Sequence, residues 1–472
     1  MSTLIQCATA GNAGTSSNRT ASYDVPDGHR VASRRMRRNM AAAGGTVVAN
    51  AAILAVSYPV YLHFLGYEQY GLWLVLATVL TFLQLGNLGL SAAVAKFVAE
   101  QVAAANMDAA RRYVATATFT VWGTGLLAIA AVTLSRGQIA TAFGLSGENA
   151  AYATRLLPMI GIACLLALTN DVLYGTLSGL GRLDLANYAQ TLVRVIAVSV
   201  SVVLLWRGIG VTSLLIGNLL GYAGAQLLCG VHVRRHLGAR IARLSNWHKQ
   251  SFLELVRFGG GMMTGSLINL MLNPLNKIIL SRSIGLASIP VYEIALNTNL
   301  QLRGLNEAPL RALMPEISMA STETGPSRVD RMAKLYKAAF RSVCGFGLGL
   351  YLLAALFATP ALQLWLGHRF VPMLPPLFRI LLVGTFVSLL SVPAYYLLVG
   401  LGRIRQVMLG YVLQSGTNLA VLAIAWICGI HISERLVASA VASGMIVAAV
   451  YLLSCGHQQL RGQHVRIRES RS

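Results

Sequence analysis

Arg194 stands in the run LDLANYAQTLVRVIAVSVSVVLLW, about ten residues from either end of an apolar stretch. A guanidinium this deep cannot easily snorkel to an interface along its own stem. On insertion scales an ionisable residue inside a span costs about 2.5–3.5 kcal/mol. Two roles offset that cost: meeting an anion in a polar cavity, or pairing with another helix. Asn187, Gln190 and Arg194 follow an i, i+3, i+7 spacing and so share one helix face, which reads as cavity-lining. In INLMLNPLNK (268–277), Asn269, Asn273 and Lys277 step by four, and Pro274 frees a backbone carbonyl near Asn269 and Leu270. A polar stripe beside a break suits a lining helix and a hinge; it equally suits a Lys277 that reaches the outer interface beside Arg282. Glu293, Asn297 and Gln301 form a third stripe, and Asn299, Arg303, Glu307 and Arg311 a fourth. For Glu307 and Arg311, i,i+4 salt bridges are the simpler reading. Asp171 and Glu293 are the acids set deepest in apolar surroundings. Each reads equally as a structural ion-pair partner, for instance of Arg194, or as a site that takes up a proton. Asn50 and Tyr61 are weaker cavity candidates.

Enzyme chemistry finds little support. There is no GxSxG and no HExxH, and the nine histidines show no ligand spacing. The six cysteines are scattered through mainly apolar segments without a CxxC, so they read as small core residues. No catalytic residue, metal or cofactor is expected.

The elements that hold these residues follow from composition. Hydrophobic residues make up 55% of the 472 and charged residues 11%, where a soluble chain carries about 25% charged. Backbone groups in lipid must be satisfied internally, and the runs are long and continuous, without the alternation of barrel strands. The fold class is therefore an all-α polytopic membrane protein. Twelve transmembrane helices are expected near 41–64, 69–95, 112–134, 150–178, 184–206, 211–233, 259–283, 287–312, 335–358, 374–400, 405–427 and 434–456. They leave a disordered basic tail (1–38), a basic interfacial linker (234–258) and a second basic tail (457–472), with six-helix lobes at 39–233 and 259–456. With both termini cytoplasmic, 29 of the 38 Lys and Arg fall on the inner side. Topology and anionic headgroups thus account for the net charge of +22, and nucleic-acid binding is unnecessary to explain it.

GLGR occurs twice, at 179–182 and 400–403. Its flanks align too: Tyr174 with Tyr395, Leu177 with Leu398, Gly45 and Pro59 with Gly260 and Pro274, and LGYEQYGLW (65–73) with IGLASIPVY (284–292). The matches stay in order at a slowly drifting offset, as a duplication leaves them. Six helices per unit is an even number, so the two pseudo-symmetric lobes enter from the same side, as a parallel repeat. GLGR itself is a tight interfacial turn and no phosphate loop.

LGYEQYGLW, FLQLGNLGLSAAVAKFVAE (82–100), LNKIILSRSIG (275–285) and ALMPEIS (312–318) stand in an order that resembles a known family. It is that of the lipid-linked polysaccharide flippases, the Wzx-type members of the multidrug/oligosaccharidyl-lipid/polysaccharide exporter superfamily. The resemblance spans about residues 39–456. It implies a V-shaped pair of lobes in the bacterial inner membrane. By alternating access these would move an undecaprenyl-pyrophosphate-linked oligosaccharide from the cytoplasmic to the periplasmic leaflet, for exopolysaccharide or O-antigen synthesis. The implied partners are that glycolipid, membrane lipids and other polysaccharide assembly proteins. Arg194, Lys277, Arg303, Asn187, Gln190, Asn269, Asn273, Asn297 and Asn50 become its cavity, with Arg303 a first contact for the pyrophosphate. Asp171 and Glu293 become coupling sites or ion-pair partners. Asn87 and Asn276 depart from the family, whose members often carry Asp there. The alternative is a cation-coupled multidrug exporter of the same fold.

Overall fold

The computed structural model describes residues 28–87, 89–238, 247–307, 310 and 326–469. Their regular structure is helical throughout. The first half comprises α1 (Gly28–Gln84), α2 (Leu90–Ala103), α3 (Met107–Leu134), the short α4 (Arg136–Ala142), α5 (Gly147–Gly179), α6 (Leu183–Trp206) and α7 (Thr212–Leu237). The second comprises α8 (Lys249–Ser283), α9 (Ser288–Glu307), α10 (Pro326–Ser342), α11 (Leu348–Leu366), α12 (Leu374–Leu390), α13 (Val392–Gly400), α14 (Ile404–Ile427) and α15 (Glu434–Glu469). The start of α1 at Gly28 and the end of α15 at Glu469 carry helix into both stretches read from sequence as tails.

Among the described residues nine helical stretches are long and apolar enough to cross a membrane. One of them, Val48–Ala103, holds two of the expected crossings, because α1 turns back on itself at Gly66, whose φ of 68° and ψ of −178° are not helical. The seventh and eighth expected crossings are α8 and α9. Helix α9 is too polar to count as a lipid-facing span, yet every residue from Ser288 to Leu296 is buried. A polar helix is stable in this setting when it lies inside the bundle, with its hydrogen bonds satisfied by protein.

Two expected spans are broken. The second stops at Gln84, passes through a 3-10 turn at Leu85–Asn87, and resumes at Leu90 after Gly89 in the left-handed region (φ 70°). A Cβ on Gly89 would sit 2.4 Å from the carbonyl oxygen of Gly259, so only glycine lets α2 meet α8. The tenth divides into α12 and α13 around Ser391, with Pro393 in the first turn of α13, where its missing N–H costs nothing.

The repeat is written in the backbone. Gly66 and Gly285 (φ 68° and 118°), Gly181 and Gly402 (73° and 71°), and Gly208 and Gly429 (79° and 69°) take positive φ at equivalent bends of the two halves. Pro59 and Pro274 lie inside their first helices, α1 and α8. Between the lobes, α1 packs on α9 as well as on α6 of its own half, and α2 and α3 pack on α8. On the Gly66 side Tyr67 donates to the Arg369 carbonyl at 2.7 Å, Arg369 donates to the His63 carbonyl at 3.0 Å, and the His63 and His368 rings meet at 3.3 Å. On the GLGR side Phe97 packs edge-on against Phe258 at 5.9 Å, and Lys96 sits 4.3 Å over the same ring. The lobes therefore touch at both ends of the cleft between them.

Candidate functional site

Helix α6 is amphipathic in an unusual sense: its polar residues face inward. Gly221 of α7 packs against its backbone, where a Cβ would lie 2.5 Å from the Val193 oxygen. That close approach of small residue to backbone is how helices associate in lipid, and it fixes the rotation of α6. Gln190 and Arg194 then face a cavity of about 520 Å3. Its other walls are Ser57, Tyr58 and Tyr61 of α1, Asn170 and Asp171 of α5, Asn218 and Tyr222 of α7, and Glu293 and Asn297 of α9. Both lobes thus contribute.

The charges here are arranged unequally. Asp171 accepts from the Asn87 amide at 2.7 Å, a contact that the break in the second span makes available. Lys277 and Glu293 form an ion pair at 3.0 Å, with side chains only 9% and 11% exposed. The other oxygen of Glu293 accepts from Asn297 at 3.0 Å, and Asn297 also donates to the Tyr58 hydroxyl at 2.8 Å, tying α9 to α1 across the lobes. Arg194 belongs to none of the ion pairs among the described residues. A mid-membrane guanidinium open to a cavity and without a carboxylate within salt-bridge distance is a ready anion site.

A second cavity of about 470 Å3 lies within the C-terminal half and contains Asn273, Asn276, Arg303 and Glu307 among its walls. Arg303 is held by Glu307 at 3.5 Å, and Tyr396 donates to the same carboxylate at 3.2 Å. Helix α9 separates the two cavities. Glu293 and Asn297 face the first, and Tyr292, Leu296, Leu300, Arg303 and Glu307 the second. A third hollow, also about 470 Å3, is almost wholly apolar and runs between α1, α9 and α11. Leu54, Tyr58 and Asn297 belong to both this groove and the first cavity.

The sequence candidates divide accordingly. Gln190, Arg194, Asp171, Glu293 and Asn297 meet in one cavity, and Asn273 and Arg303 in another. Lys277 is not among the walls of these three cavities; it is buried against Glu293. Asn187 is half-buried one turn away from the lining residues. Asn50 is half-buried with a carbonyl oxygen that has no hydrogen-bond partner. The Asn269 side chain, Arg311 and the segment 312–318 lie outside the described residues. Sequence reasoning missed Tyr58, Tyr222, Asn218 and the tyrosines of the second cavity; Tyr58 stands one turn from Tyr61, and Asn218 and Tyr222 stand four apart on α7, but the tyrosines of the second cavity carried no such signal. Among the described residues no cluster of three or more metal-binding side chains forms.

The family described as polysaccharide biosynthesis protein matches residues 63–375. Comparison with curated protein sequences finds no match. Among solved structures, the inward-facing conformation of a multidrug resistance MATE family transporter of the MOP superfamily is similar at TM-score 0.69 and 16% identity. That match covers 88% of this chain and 95% of the other. The lipid II flippase MurJ in an inward closed conformation is similar at TM-score 0.68 and 15% identity, covering 88% and 87%. The Vibrio cholerae MATE transporter VcmN, in its bent form, is similar at TM-score 0.62 and 14% identity, covering 92% and 98%.

Proposed function

The chain belongs to the polysaccharide biosynthesis protein family and has the fold of MOP-superfamily transporters, and from that premise we propose that it exports a lipid-linked oligosaccharide. Its substrate is an undecaprenyl-pyrophosphate-linked glycan carried from the cytoplasmic to the periplasmic leaflet of a bacterial inner membrane, with both termini of the chain cytoplasmic. One observation carries this reading: the cavity of unpaired Arg194 shares the wall Leu54, Tyr58 and Asn297 with an apolar groove. An amphiphile with an anionic head and a long hydrocarbon tail fits the two together. The planar fork of Arg194 suits a diphosphate. The groove keeps the tail in apolar contact while the head crosses. Rocking of the lobes about the Tyr58–Asn297 bond exposes the cavity to one side and then the other.

The multidrug reading is weaker on the same ground. A cationic drug wants free acids; Lys277 neutralises Glu293, and Asp171, one oxygen of which accepts from the Asn87 amide, is the one acid that remains among the cavity's described walls. The test is lipid analysis of cells lacking the gene, with lipid-linked oligosaccharides separated by leaflet accessibility. Finished glycolipid should accumulate on the cytoplasmic side, and R194A should fail to relieve it while wild type does. Normal pools in the deleted cells, with drug sensitivity raised instead, would overturn the proposal.

A further inference from the structure

We propose that the second cavity, inside the C-terminal lobe, is a binding site for hexopyranose units of the exported glycan; this rests on the export reading above. Its chemistry differs from that of the first cavity. Among the described residues Arg303 and Glu307 are its charged walls, and they stand as an ion pair at 3.5 Å in which Arg303 Nε makes no hydrogen bond. Among the described residues the two charges of this wall offset each other. A neutral ligand rich in hydroxyls suits such a wall, because carboxylate and guanidinium can each take two neighbouring hydroxyls.

Besides Tyr292 of α9, three further tyrosines supply the second requirement. Tyr395, Tyr396 and Tyr411 line the cavity, the first two with ring centres 5.2 Å apart at a steep angle. Tyrosine offers an apolar face and a polar tip, and a pyranose offers C–H faces ringed by hydroxyls. Asn273 and Asn276 add carbonyl oxygens that are buried without a hydrogen-bond partner, and Asn276 itself is fully buried. Such acceptors are costly unless something donates to them. A sugar hydroxyl does so. The volume of about 470 Å3 lies in the range of about 300–1,000 Å3 typical of small-molecule sites.

Two probes test this with the full chain in nanodiscs: undecaprenyl diphosphate alone, and the same lipid carrying a hexose disaccharide. Wild type should bind the glycosylated lipid at least tenfold more tightly. Tyr395→Leu with Tyr411→Leu should abolish that gain and leave binding of the bare lipid unchanged, which also reports that the variant is folded. If the leucine variant loses both lipids, the milder Gln414→Ala, on the same cavity wall, decides: a selective threefold loss for the glycosylated lipid supports the site, and no loss overturns it. A wild type that binds both lipids equally also overturns it. Should wild type bind neither, the export reading itself falls and this inference with it.

Discussion

The ion pair of Lys277 and Glu293 is held at 3.0 Å with both side chains nearly excluded from the surface. Breaking a buried pair by removing one partner costs about 3–5 kcal/mol, because a charge is left without compensation, whereas replacing both by apolar groups is often neutral. Glu293→Gln should therefore lower the unfolding temperature of the purified protein strongly. Lys277→Met combined with Glu293→Met should return it close to wild type, and a double variant no better than the single would show that the pair is not the cause. Arg194 has no such partner, so R194A should leave the unfolding temperature nearly unchanged while abolishing relief of glycolipid accumulation. The two kinds of charge were equally visible in the sequence, since any ion stands out in an apolar run. Which of them was free was not visible. Whether Lys277 meets Glu293 depends on how α8 and α9 pack, and spacing along one helix carries no information about that. The tyrosines were less visible still, because Tyr58, Tyr222 and Tyr395 count among the hydrophobic residues of the composition and are polar only at the tip.

At the scale of the element, glycine decides where helices bend and how closely they meet. Gly89→Ala should be severe. It forces a left-handed φ of 70° on a residue with a Cβ and drives that atom to within 2.4 Å of the Gly259 oxygen. Gly86→Ala, three residues earlier, meets nothing nearer than Thr124 at 4.0 Å and should stay within about 0.5 kcal/mol of wild type. Thermal unfolding of both variants in detergent checks the contrast, and equal shifts would contradict it. The crossings themselves were readable from apolar length. The breaks were not: the second crossing reads as continuous, and only the tertiary contact with α8 explains why the chain leaves the helix at Leu85–Asn87 and returns at Leu90. The paired positive-φ glycines were half readable, as the repeated GLGR and its flanks.

At the scale of the molecule, the lobes are joined on the Gly66 side by Tyr67, His63, His368 and Arg369, and on the GLGR side by Phe97, Lys96 and Phe258. The rocking proposed above requires each set to part in turn. H63C with H368C, joined by a short cleavable bis-thiol linker, should halt export until the linker is cut. Replacing the exposed Cys428 by serine removes a competing thiol. Unimpeded export with the link in place would mean that this end does not open. The halves were recognisable as a duplication, yet duplication does not explain why one cavity holds a free arginine and the other a neutral ring of tyrosines. That asymmetry lies in side chains that have diverged on a shared backbone.

The bend at Gly66 has a consequence for what lies outside the membrane on that side. A single non-helical residue returns the chain, and the equivalent turn after α8 spans only Ile284–Ala287. Each turn therefore leaves only a few residues between its two helices. For the export proposed above, these two turns offer a small target, and a protein that takes over the released lipid has to be engaged elsewhere on the chain or meet the lipid in the bilayer.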